Sequence, residues 1–210
     1  LILVACEFSG VVRRALRARG YRAVSCDLLP AEDGSADHYQ GDVLDILDAG
    51  WSGMIAHPEC TFLTSSGLHW NARRPGRALQ TEAALRFVDR LLNGPIERVV
   101  LENPRGCIST RIRPPDQTIQ PYQFGDDASK ATCLWLRGVP KLVIPPEADW
   151  FPPRVVGGRP RWSNQTDSGQ NRLAPSPDRW KERSRTYPGI AAAVAEQLGP
   201  YLAGERRMAA

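Results

Sequence analysis

Apolar residues in the first half of this chain come in short unbroken runs, separated by amphipathic stretches. "LILVAC" (1–6) offers no polar position to turn toward water, as expected of a strand covered on both faces. After "EFSG", the apolar positions Val11, Val12, Ala15 and Leu16 follow helical spacing; Ser9 is the expected N-cap and Gly20 the expected stop. "YRAVSCDLLP" predicts a second strand ending at Asp27, and "YQGDVLDIL" a short edge element followed by a brief helix. "WSGMIAHP" predicts another strand. "GRALQTEAALRFVDRLLNG" is the clearest helix, closed by Gly94, and "IERVVLENP" is one more strand. Alternation of strand and helix through the first hundred residues predicts an α/β fold with a doubly wound parallel sheet.

The second half has a different rhythm. Residues 105–128 are polar and Pro-rich. "KATCLWLRGVPKLVIPP" holds two apolar runs parted by "RGVP", which predicts a hairpin. Residues 148–178 are rich in Pro, Gly, Arg and Trp without any period, which predicts a long loop or small lobe, and loops of that length in compact domains are commonly functional. "PGIAAAVAEQLGPYL" predicts a closing apolar helix. The expected division is a core over 1–125, a small recognition region over 126–180, and a C-terminal helix within 181–210 that returns to the core.

Composition narrows the function classes. A chain of 210 residues fits one domain with a small appended lobe. The net charge of +4 carries an excess of Arg, which suits an anionic partner without establishing one. Five cysteines lie far apart, with no CxxC pair and no nearby His, which argues against a zinc site or a disulfide framework and for reduced thiols. There is no apolar run of bilayer length and no basic-then-apolar leader, so neither membrane nor metal is expected. The chain opens at Leu1 without Met, so a residue or two is expected to precede it. The expectation is a monomeric cytoplasmic protein.

In a parallel sheet the ligand site lies beyond the carboxyl ends of the strands. Read in order, those ends are Glu7-Phe8-Ser9-Gly10, Asp27, Asp42, His57-Pro58-Glu59-Cys60 and Glu102-Asn103-Pro104. Asp27 falls near where a dinucleotide fold places the acid for ribose hydroxyls, but the full GxGxxG is absent. That combination suits an adenosine-like ligand without a pyrophosphate. A single Gly at a strand-to-helix turn is equally an ordinary tight turn. Cys60 is the one cysteine on a polar loop directly after a strand, whereas Cys6, Cys26 and Cys133 read as packing residues. By itself this position leaves both a nucleophile and a packing thiol open.

The order EFSG, an acid after the second strand, HPEC, LENP and STRIR resembles the DNA cytosine-C5 methyltransferases, in particular their short phage-type members. The resemblance covers most of the chain outside 126–178. It implies a Rossmann-like S-adenosylmethionine-dependent methyltransferase sheet with a small C-terminal recognition lobe. It also implies S-adenosylmethionine as cofactor, with Glu7, Phe8, Ser9, Gly10, Asp27, Leu28, Asp42, Val43 and His57 around it. Cys60 would add to cytosine C6, because C5 is a poor nucleophile until a thiolate makes it enamine-like. Glu102 would hold the base through N3 and the exocyclic amine. Arg111 and Arg113 alternate, so in an extended chain both would reach the base and its phosphate and lower the Cys60 pKa. The sequence departs from the family at Val12, Glu59, Thr61, Pro104 and Thr110. Glu59 replaces the usual Pro and sets a negative charge beside the thiol, which raises a thiol pKa unless it points away.

Such an enzyme must flip its base out of the stack. Arg73, Arg74 and Arg77, in the loop after the nucleophile, and Arg159 and Arg161, beside "WSNQTDSGQNR", are the candidate contacts to double-stranded DNA. Each is equally at home in a solvated loop. An RNA or nucleotide methylase on the same frame, or a nucleic-acid-binding homologue without turnover, are the alternatives.

Overall fold

Side-chain alternation along the strands divides the interior into two layers. On β1 (Ile2–Ala5), Leu3 and Ala5 face one layer and Ile2 and Val4 the other. β2 (Ala23–Asp27) and β3 (His38–Gln40) follow it in the chain, and β4 (Gly53–Ala56) and β5 (Val99–Pro104) repeat the division. Met54, Ala56, Val99 and Leu101 join the first layer; Ile55 and Val100 join the second. The computed structural model describes residues 1–208. α1 (Val11–Ala18) lies on the second layer through Val12 and Leu16. α2 (Ser65–Leu68) is a single turn, and α3 (Arg77–Asn93) covers the first layer with Leu85, Val88, Leu91 and Leu92.

The sheet has seven strands in the order β3-β2-β1-β4-β5-β7-β6, where β6 is Gln117–Ile119 and β7 is Thr132–Arg137. β1 to β5 run parallel, with Ala5 level with Ala56 and Ala56 level with Leu101. β7 is antiparallel to both of its neighbours. The sheet is therefore mixed, where the sequence pattern predicts a parallel one. A parallel return needs a crossover long enough to cover the sheet, usually a helix. Between β5 and β7 the only α-helix is the short α4 (Ile108–Arg111), followed by β6.

Two further expectations change. The run "KLVIPP" forms no strand, and β7 takes its partners from β5 and β6 in place of the predicted hairpin. Leu142 instead plugs the second layer, its backbone bracketed by the Gln117 amide, which donates to Leu142 O (2.8 Å) and accepts from Leu142 N (2.9 Å). At the start of α1, Gly10 takes the N-cap place expected of Ser9, and its φ of 67° suits a residue without Cβ.

The lobe over 148–178 contains a two-stranded hairpin, β8 (Arg154–Val156) and β9 (Arg159–Arg161), turned by Gly157 and Gly158 at positive φ. Trp162 stacks on Tyr122 at 4.1 Å between ring centroids, which fastens the lobe to the segment before β7. Asn164 and Ser129 exchange hydrogen bonds of 3.0 Å each, and Ser163 is held by Asp127. α5 (Arg179–Ser184) leads to α6 (Pro188–Gln197) and α7 (Gly199–Leu202). α6 packs beside α1 on the second layer with Ile190, Ala191, Val194 and Ala195. No helix among the described residues is long and apolar enough to cross a membrane.

Candidate active site

β1 and β4 are neighbours in space, while the chain leaves β1 toward β2 on the other side, so the switch point at which open α/β sheets bind ligands falls beyond their carboxyl ends. Cys6, directly after β1, sits at φ 59°, the one positive φ outside glycine among the described residues. That left-handed turn costs on the order of 1 kcal/mol and sharply redirects the chain. Glu7 then turns back onto α1, its carboxylate accepting from Val12 N (2.6 Å) and Arg13 N (3.2 Å). The acid expected at a ligand thus closes a helix start, where a negative charge suits the unpaired N–H groups and the dipole. Burial pushes its carboxyl up, opposed by the charge on His57 and by those two N–H groups.

Around this turn gather Asp27 and Asp42. Asp27 accepts from Leu29 N and Asp42 from Leu44 N, both at 2.9 Å. Burial raises the Asp27 carboxyl. The Cys6 thiol is driven far up by burial, then by Asp27, Cys26 and Asp42, so both carboxylates bear on the same point. Phe8 follows in the same turn, its carbonyl accepting from Glu32 N and its ring 5.9 Å from Trp180 of α5. Of the remaining residues expected here, Ser9 is buried and its carbonyl accepts from Arg14, Val43 is buried in the first layer, and Leu28 is 72% exposed. His57 is held by Glu102 instead.

The second half of the site lies at the ends of β4 and β5. Cys60 follows β4 on a loop whose next turn closes on its own carbonyl, with Leu63 N and Thr64 N both donating to Cys60 O at 3.0 Å. Buried Asn103 pins the loop by donating from Nδ2 to Pro58 O (2.8 Å). Glu102 is 15% exposed and accepts from His57 Nδ1 at 3.3 Å. Burial raises the Cys60 thiol, and Glu102 adds to that rise, while Lys130 and Arg183 pull it down. For Glu102 itself the balance reverses: burial raises the carboxyl, but Lys130 and the bonded His57 outweigh it and hold the group below the usual range. Glu59 is exposed, and the carboxylate that bears on the thiol is Glu102.

Lys130 is thus the cation shared by thiol and carboxylate, and sequence reasoning missed it. The available signal was its place just before β7. An antiparallel β7 begins where β5 ends, with Thr132 level with Pro104, so the residues preceding it arrive at the carboxyl edge of the sheet. Lys130 Nζ also donates to Arg183 O (3.2 Å), which brings α5 to the same place. Arg185 binds Glu32 at 2.5 Å. α5 therefore bridges from the Phe8 turn to the thiol.

Arg111 and Arg113 are placed elsewhere. Ile108–Arg111 is helical, not extended, and Arg111 binds Glu82 on α3 at 2.9 Å. Arg113 binds Asp116 (2.7 Å) and donates to Leu136 O. In the loop after Cys60, Arg74 lies over the Trp70 ring and Arg77 over the Phe62 ring, each at 4.2 Å, while Arg73 is exposed. Arg77 also donates to Thr61 O (2.6 Å), so it braces the loop that carries the thiol. In the lobe, Arg159 is exposed and Arg161 donates to Asp167 O and Pro160 O. Arg154, Arg161 and Arg172 line a cleft of about 510 Å³ with Phe151 and Pro152 on its wall.

A thiol and a carboxyl on neighbouring strands, sharing one cation, can add a nucleophile to one atom of a flat heterocycle while handling a proton at another. No protein-family model matches the chain, and no curated protein matches it.

Proposed function

We propose that the protein is an S-adenosylmethionine-dependent DNA cytosine-C5 methyltransferase, with a Rossmann-like methyltransferase sheet and a C-terminal lobe that meets the DNA. The observation that carries this reading is the convergence of Cys60, Glu102 and Lys130 beyond the ends of β4 and β5. The Phe8–Asp27–Asp42 group lies beyond β1, β2 and β3 of the same sheet. Two carboxylates bearing on one turn beside an aromatic ring fit the ribose hydroxyls and the charged amino acid portion of the cofactor. S-adenosylmethionine held there supplies an electrophilic methyl group.

The chain's own residues do the rest. Cys60 first loses its Sγ proton to solvent. The thiolate then forms a bond to C6 of the flipped cytosine as the displaced electron pair reaches N3, and the thiolate is regenerated when that bond breaks. Glu102 lies across from the thiol to hold the N3 edge and the exocyclic amine. Lys130 stabilises both the thiolate and the carboxylate; the first of these is the effect on Cys60 that the resemblance implies for Arg111 and Arg113. Arg183, on α5, adds a second positive charge at the thiol, and Trp180 of the same helix stands at the Phe8 turn. The arginine-lined cleft in the lobe suits phosphate contact.

The test is methyl transfer from labelled S-adenosylmethionine to unmethylated DNA, with mass spectrometry of the nucleosides. The expected product is 5-methylcytosine, absent with Cys60→Ser. RNA and free nucleotides run alongside. Cofactor binding with no methylated base in any of the three would overturn the reading in favour of binding without turnover.

A further inference from the structure

The end of β4 carries a residue that this chemistry leaves unused. His57 extends the parallel ladder one step, its N–H donating to Ala5 O at 2.9 Å. It follows Ala56, which is level with Ala5 and Leu101, so the next residues across β1, β4 and β5 are Cys6, His57 and Glu102. The imidazole is 11% exposed, with Nδ1 on Glu102 Oε2. Its Nε2 is buried and has no partner among the described residues. An unpaired buried donor or acceptor costs about 1–3 kcal/mol, so a fold that keeps one invites a functional account.

The charged and titratable groups around this imidazole can be named strand by strand. Glu7 faces it from beyond β1, itself facing Arg13 of α1. Glu102 faces it from β5. Lys130, ahead of β7, faces Glu102, and Cys60 lies further along the β4 loop facing the same two groups. Two carboxylates therefore flank His57, and Nδ1 is the atom that meets one of them.

Addition of the thiolate to C6 leaves an electron pair at N3 that must take up a proton. Glu102 is held ionised at neutral pH by Lys130 and His57, so it has no proton of its own to give. Resting on the methyltransferase reading above, we infer that His57 is a positioning residue that acts through Glu102, supplying the proton that Glu102 passes to the cytosine. As the Sγ–C6 bond forms, N3 takes a proton from Glu102 and Glu102 takes one from His57 Nδ1, which leaves a neutral imidazole. C5 then gains the methyl group. When the C5 proton leaves to a solvent base and the Sγ–C6 bond breaks, N3 returns its proton along the same path. The imidazolium is restored, and the net change is one methyl group gained and one C5 proton lost.

His57→Gln keeps an N–H donor for Glu102 but cannot titrate. Methylation of DNA cytosine is measured from pH 5.5 to 9.5 for both proteins, with cofactor affinity and the ¹³C titration of the Glu102 carboxyl in the unliganded state. The expected result is a rate deficit that varies with pH, about 100-fold at the acid end of the range and closing toward wild type at the alkaline end, as loss of a proton relay requires. Cofactor affinity stays the same, and the Glu102 midpoint moves up in the variant. A rate ratio constant across pH, or loss of cofactor binding as the sole defect, overturns the inference while leaving the reaction intact. A wild-type protein that methylates no cytosine overturns the reaction, and the inference falls with it.

Discussion

At the scale of single residues, the reactivity of Cys60 is a contest between burial and its neighbours. Burial and Glu102 push the thiol up; Lys130 and Arg183 push it down, and the net is a rise. The thiol is therefore protonated at neutral pH, and folding favours that form. This contribution to stability is complete below the unfolded thiol's pKa and is lost as pH rises through the folded one. Alkylation by iodoacetamide reads the balance directly, because only the thiolate reacts and one pKa unit is a tenfold change in its population. Cys60 should be modified first among the five cysteines, since Cys26, Cys107 and Cys133 are buried and Cys6 is raised far more strongly. At fixed pH below the thiol's midpoint, Glu102→Gln should accelerate alkylation several-fold and Lys130→Met should slow it several-fold. Equal rates in all three proteins would mean that neither group bears on the thiol.

Elements decide where those residues meet, and here the sequence was only partly legible. Cys60 and Glu102 could be found because they follow apolar runs, and the end of a buried strand is visible in any α/β pattern. Lys130 was hidden because "TCLWLR" looks the same whether it runs parallel or antiparallel to its neighbour. Arg111 and Arg113 misled for a different reason. Their alternation fits a strand, but Ile108 and Ile112, four residues apart, both turn into the first layer and make the segment helical. The loop that presents Cys60 depends on one further close approach. Gly106 lies against the Leu63 carbonyl, leaving no room for a Cβ, and Cys107 N donates to that carbonyl at 2.8 Å. Gly106→Ala must push the loop away from β5. The expected cost is about 2 kcal/mol in denaturant unfolding, typical of overpacking, with the proposed methyl transfer reduced at least about 100-fold by a thiol displaced by an ångström. Unchanged turnover would show that the loop is not held in place by this contact.

Across the whole molecule, the helix that joins the two halves of the site is one of the weakly anchored parts. α5 has no buried residue, and its attachments are the Phe8–Trp180 contact, the Arg185–Glu32 pair and the Lys130 bond to Arg183 O. Exposed ion pairs contribute about 0–1 kcal/mol, so the segment as a whole is held by little and opens often. Its basic residues Arg179, Lys181, Arg183 and Arg185 make trypsin a natural probe. Cleavage of a transiently open segment tracks the open population when closing outpaces cutting. A ligand that touches both the Phe8 turn and α5 stabilises the closed form by RT ln(1 + [L]/Kd), about 2.7 kcal/mol at a hundred times Kd, which is about 100-fold in population. Saturating S-adenosylmethionine should therefore slow cleavage within 179–185 by up to about 100-fold, and Arg185→Ala should speed it several-fold without ligand. The Arg185→Ala protein should regain most of its protection once the cofactor binds, because the pair with Glu32 adds little beside a ligand held under Trp180. Cleavage indifferent to bound cofactor would mean that α5 does not cover the cofactor end. The link from the Phe8 turn to Cys60 would then have to run through the sheet alone.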